Sequence, residues 1–123
     1  MRFRRPSPED NTRRSLRGYV TAPYDDLLKC FGMPTNIIPS VTMKTVCEWE
    51  LIFQDGTYAS IYTYYYEPSV PPPDIPDHKP SLWHIGGRSN HAVDRVVEAL
   101  GTNQFAYLTP GDYEEDTFEE FPF

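Results

Sequence analysis

The segment VCEWELIFQDGTYASIYTYYY, residues 46–66, restricts what this chain can fold into more than any other. Two runs rich in β-branched and aromatic residues flank Asp55-Gly56, the dipeptide favoured where a hairpin turns through two residues of positive φ. A two-residue loop sets Phe53 opposite Tyr58, Leu51 opposite Ser60, Trp49 opposite Tyr62 and Cys47 opposite Tyr64, all on one face. Ile52, Ala59, Ile61, Glu48, Glu50 and Thr63 then fall on the other. One face is strongly aromatic and the other half polar, so which of them receives an apolar layer matters for function.

Two helices can supply that layer. In TAPYDDLLKCFGMP, Thr21 can cap, Pro23 suits a first turn, Asp25 and Asp26 sit at the positive end, and Gly32 with Pro34 stops the element. This predicts a helix over 22–31 with Leu27, Leu28 and Phe31 facing inward. In SLWHIGGRSNHAVDRVVEALG, residues 81–101, a strand passes through Gly86 and Gly87 into a helix capped by Ser89. Val93, Val96, Val97 and Leu100 share one side of that helix, and Gly101 ends it. RGYVTA and QFAYLTP read as short strands near either end. The order (β)-α-β-β-β-α-(β) predicts an α+β domain, with two helices on one face of a small antiparallel sheet.

A chain of 123 residues with 39% hydrophobic residues suits one domain. We expect a flexible basic arm over 1–16, a domain over 17–111 with a proline-rich loop at 67–80, and an acidic aromatic tail over 112–123. The net charge of −7 is unevenly spread. Residues 1–17 hold Arg2, Arg4, Arg5, Arg13, Arg14 and Arg17 against Glu9 and Asp10, a net of +4, whereas the last twelve residues carry −6 and no base. No run approaches the roughly 18 apolar residues of a membrane span, and the basic start lacks the apolar stretch of a signal peptide. Cys30 and Cys47 form no CxxC pair and are expected reduced and buried.

The turn at GGRS is the foremost candidate site. Gly86 and Gly87 permit close backbone approach, the amides of Ser89 to Ala92 lie at a positive helix end, and Arg88 could clamp an anion. His91 borders the turn, and Trp83 or a hairpin tyrosine could stack on a ligand. A phosphate or carboxylate is the natural guest, a nucleotide-like anion included. Two glycines before a capped helix also serve simply as a tight connection. No signature surrounds either cysteine, and His78, His84 and His91 lack close ligand spacing, so neither an enzyme nor a metal site is expected, and no cofactor. Glu48 and Glu50 share a strand face, which solvated positions explain.

The termini suit binding to partners. Six arginines and no lysine favour bidentate recognition of carboxylates or phosphates, and Phe118, Phe121 and Phe123 would be costly in a purely solvating tail. Binding to nucleic acid through the arm is a further possibility, opposed by the acidic body.

Helix, three strands, helix resembles the double-stranded RNA-binding domain, with GGRSNHAVDRVVEAL similar to its final helix. Asn90 and His91 stand where that family has phosphate-gripping lysines, so the resemblance implies topology only. The series YDDLLKCFGMP, CEWELIFQDGTYASIYTYYY and WHIGGRSNHAVDRVVEAL is similar to small uncharacterised proteins of bacteriophages and large DNA viruses over about residues 17–101. That resemblance implies a viral protein in the virion or the host cytoplasm or nucleus. The leading expectation is a non-catalytic protein-interaction module, either a virion component or a host-directed inhibitor.

Overall fold

The turn between the hairpin strands sets the layout of the sheet. In the computed structural model, which describes residues 1–37, 45–64 and 80–114, Gly56 has φ 92° and no non-glycine residue among them has positive φ. Asp55 therefore cannot occupy the first position of a type I′ turn. The Gly56 N–H donates to the Phe53 carbonyl at 2.8 Å, and the Phe53 N–H donates to the Thr57 carbonyl at 2.9 Å. The loop thus has three residues, Gln54 to Gly56, ending in a left-handed glycine. Asp55 favours it because its carboxylate accepts the Thr57 N–H two residues on, at 3.0 Å.

The extra loop residue changes the register by one. Strands β4 (Thr45–Phe53) and β5 (Tyr58–Tyr64) pair with Ile52 opposite Tyr58, Leu51 opposite Ala59 and Trp49 opposite Ile61. Because side chains alternate, the expected allocation of β5 is reversed. Ala59 and Ile61 join Trp49, Leu51 and Phe53 in the core, while Tyr58, Ser60 and Tyr62 share the second face with Glu48, Glu50 and Ile52.

The described elements run β1 (Phe3–Arg4), β2 (Ser15–Pro23), α1 (Tyr24–Phe31), β3 (Asn36–Ile37), β4, β5, β6 (Pro80–Gly87), α2 (His91–Leu100) and β7 (Phe105–Tyr107). Every pairing is antiparallel, in the order β1-β4-β5-β6-β2-β7, with β3 also on β4. This is the expected α+β class: a small antiparallel sheet and two helices. The core joins Val20, Trp83 and Ile85 from the sheet to Leu27 and Phe31 of α1 and Ala92, Val93 and Val96 of α2. The rings of Trp49 and Trp83 meet edge-on at 5.5 Å. Each indole N–H is satisfied, by the carbonyls of Gly32 and Ala22, both at 2.9 Å. Cys30 and Cys47 are free thiols, and burial pushes that of Cys47 up to about 12.

Several boundaries differ from expectation. Helix α1 begins at Tyr24 behind Pro23 with no side-chain cap, because Thr21 is still in β2, its N–H bonded to the Gln104 carbonyl. Helix α2 has Asn90 at its N-cap position, while the Ser89 hydroxyl accepts the His91 N–H at 3.2 Å. The segment expected as an arm is packed on the sheet. Phe3 pairs with Phe53, and its ring meets Phe31 and Phe53 edge-on at 5.5 and 6.1 Å. Arg4 forms a two-pronged bond to Asp10, whose carboxyl is held well below the usual range by that guanidinium. A strand of two residues has no readable alternation, which hid β1 from sequence reasoning. Of the proline-rich loop at 67–80 only Pro80 lies within the described residues, and of the acidic tail only Asp112 to Glu114.

Replacing Gly56 with Val should strain the left-handed turn and lower stability by about 1–3 kcal/mol. Urea denaturation measures this; an unchanged midpoint would contradict the turn and the register built on it.

Candidate functional site

Arg14 crosses the second face of the sheet. From the residue before β2, its side chain passes over Gly86 and Tyr62 to reach β4. A Cβ added to Gly86 would lie 3.3 Å from Arg14 Cδ, 3.4 Å from the Tyr62 ring and 2.7 Å from Ser60 Oγ, so this glycine leaves room for the arginine stem. The guanidinium sits 5.5 Å over the Tyr62 ring, pairs with Glu48 at 2.7 Å and Glu50 at 3.4 Å, and donates to the Tyr58 hydroxyl at 3.2 Å. Glu48 is only 7% exposed, so the two glutamates are not the solvated pair expected from sequence. Burial, and then the neighbouring Glu48, raises the Glu50 carboxyl, while burial pushes the Tyr58 phenol up to about 12.

Arg17 and Arg88 meet at the end of β6. Arg17 donates through Nε to the Gly87 carbonyl at 3.1 Å and through its other nitrogens to the Arg88 carbonyl and Asp112, both at 2.5 Å. Arg88 donates to the Gly56 carbonyl at 3.1 Å, and Arg95 of α2 bonds Asp55 at 2.7 Å, so two arginines hold the hairpin turn. Gly87 has a packing reason: a Cβ there would lie 2.4 Å from the Ala92 Cβ. Its bareness lets α2 lie close on β6.

Together Arg13, Arg14, Ser15, Arg17, Gly87 and Arg88 line an open cleft of about 480 Å³ at the rim where β2 begins and β6 ends. Sequence reasoning placed Gly87 and Arg88 at such a site and Arg13, Arg14 and Arg17 in a separate arm; the β2–β6 pairing, Ser15 opposite Gly87, brings the two sets together. The remaining expected features are positioned otherwise. The α2 amides are used internally: the Asn90 N–H donates to the Asp112 carbonyl at 2.7 Å, and those of His91 and Ala92 to Ser89. The Asn90 side chain donates to the Thr109 carbonyl, and the His91 ring meets Tyr113 at 4.6 Å. The chain after β7 thus closes the helix end that was expected to face an anion. Trp83 is fully buried and cannot stack on a ligand. Arg5 bonds Thr35 and the Met33 carbonyl, Arg2 lends its carbonyl to the Gln54 N–H, and Arg4 pairs with Asp10, all away from the cleft. Phe118, Phe121 and Phe123 lie outside the described residues.

Sequence reasoning missed the aromatic row on the same face. Tyr19, His84 and Tyr62 stand side by side on β2, β6 and β5. His84 stacks on Tyr62 at 5.4 Å and meets Tyr19 edge-on at 5.2 Å. Burial lowers the His84 pKa, which favours the neutral ring. Among the described residues no group of three or more His, Cys, Asp or Glu could hold a metal ion, and no helix is long and apolar enough to cross a membrane. Comparison with protein-family models, curated proteins and solved structures returned no match.

The raised Glu50 carboxyl favours folding below the ordinary carboxylate range, and that contribution is lost as pH rises through its folded value. Glu50→Gln should therefore raise the melting temperature at pH 7.5, and the gain should fade towards pH 4. It should stay below about 1 kcal/mol, because Glu50 remains partly solvated. A gain that grew on acidification would show the reverse shift.

Proposed function

We propose that this protein binds a small phosphate-bearing ligand in the arginine cleft, without chemistry on it. The observation that carries this reading is the convergence of Arg13, Arg14, Arg17 and Arg88 on one open concavity of about 480 Å³, within the roughly 300–1,000 Å³ common for ligand sites. Each guanidinium has five N–H donors in a planar fork, so an arginine tied to a carboxylate or carbonyl keeps donors for a second acceptor. A small anion suits the cleft better than a nucleic acid. Charges beyond roughly 8 Å are largely screened at physiological salt, so a compact ligand meets the four arginines, whereas a long polyanion would also meet the acidic remainder of a chain of net charge −7.

Pyrophosphate at constant ionic strength should raise the melting temperature by mass action. Arg13→Ala should remove most of that rise without altering the unliganded protein, since Arg13 is exposed. An equal rise in both proteins would place the anion elsewhere and sink the reading.

A second reading, a protein-interaction module of viral type, is favoured by the β7 edge. Phe105, Leu82 and Leu108 are 39, 55 and 52% exposed there, and Tyr19, Thr21, Leu82, Gln104, Phe105 and Ala106 line a groove of about 290 Å³. Apolar surface beside an edge strand is where another chain docks. Phe105→Asp should abolish any complex seen by sedimentation while sparing pyrophosphate binding; a complex that survives it uses another surface.

A further inference from the structure

The cleft is larger than an isolated anion requires, and one of its arginines leads from it to the aromatic row. Arg14 lines the cleft with its side chain, yet its guanidinium rests on Tyr62, the first of three rings that continue through His84 to Tyr19. Charge at the rim and ring surface along the face are therefore contiguous. Tyr62 is largely covered, at 8% exposure, whereas Tyr19 and His84 are half-buried and present surface to solvent. Tyr19 also borders the groove beside β7. From Ser15 to Tyr19 is four residues along β2, about 13 Å at the rise of an antiparallel strand and less across the irregularity between Leu16 and Gly18. A bare phosphate cannot span that distance, but a phosphate carrying a sugar and a flat ring can.

We propose that the ligand is a nucleotide, its phosphates among Arg13, Arg14, Arg17 and Arg88 and its base resting on the Tyr19 ring beside His84. This rests on the anion-binding reading of the same cleft and adds the ligand's chemical class. Tyr19 meets His84 edge-on, at an interplanar angle of 63°, so the face of its phenol ring is the surface on which a base can stack. Specificity among bases would then come from polar groups near Tyr19, of which Thr21 and Gln104 are the nearest in the groove.

Calorimetric titration of the full chain with pyrophosphate, ribose 5-phosphate, adenosine diphosphate and adenosine tests the proposal. Adenosine diphosphate should bind at least about tenfold more tightly than pyrophosphate or ribose 5-phosphate, the size of one base-on-ring stack. Tyr19→Ala should remove that advantage and leave pyrophosphate binding unchanged; Tyr19→Phe should retain it. Equal affinity for the three phosphates, or a Tyr19→Ala variant that still prefers adenosine diphosphate, overturns the nucleotide assignment and leaves the anion reading standing. Failure of all three phosphates to bind overturns both.

Discussion

Gly56, in the left-handed region, decides on which side of the sheet every residue of β5 stands. The three-residue turn it closes is gripped from the Asp55 carboxylate by Arg95 and from the Gly56 carbonyl by Arg88. Displacing β5 by one residue would turn the hydroxyls of Tyr58 and Ser60 into the layer beneath the helices and send Ile61 out under Arg14. The Tyr58 hydroxyl moved there would lose its bonds with Arg14 and Glu50, at about 1–3 kcal/mol if left unsatisfied. The turn therefore produces two surfaces at once: an apolar one for Trp49, Trp83 and the helices, and a polar one that can receive a cation.

That cation, Arg14, faces two carboxylates and a phenol. One positive charge cannot neutralise both glutamates; burial, and then the neighbouring Glu48, raises the Glu50 carboxyl. Arg14 is 34% exposed, so its pairs lie between the surface ion pairs that contribute little and the buried ones whose loss is costly. Arg17 works differently. It ties the Gly87 and Arg88 carbonyls, at the end of β6, to Asp112, giving backbone oxygens there a charged donor. The cleft is what remains between these ties, a rim of cations of which Arg14, Arg17 and Arg88 are each held in place by a structural partner.

How far these features were legible depends on how local they are. Both helices follow from apolar spacing within ten residues and from the glycines that end them, Gly32 and Gly101, and the hairpin from its turn dipeptide. The register did not, because Asp55-Gly56 suits both a two-residue loop and the last two positions of a three-residue one, and only the backbone at Asp55 distinguishes them. Gly86 and Gly87 drew notice as a pair, but their reasons are separate: one clears a path for the Arg14 stem and the other admits the Ala92 methyl. Neither neighbour is close in sequence. The Tyr19–His84–Tyr62 row needs three strands in register before it exists. The four arginines of the cleft were all named beforehand, yet their convergence depends on a pairing between residues about seventy positions apart.

That long-range pairing has a consequence for synthesis. Strand β2 leaves the ribosome well before its hydrogen-bonding neighbours on both sides, β6 and β7. Until then its two edges remain without their final partners, while β4 and β5 can already close on each other. Its pairings with β6 and β7 join residues far apart in sequence, which slows folding relative to a chain of local hairpins. A nascent chain stalled before Phe105 would hold the hairpin and the first helix but offer an open, pairing-competent strand to any neighbour.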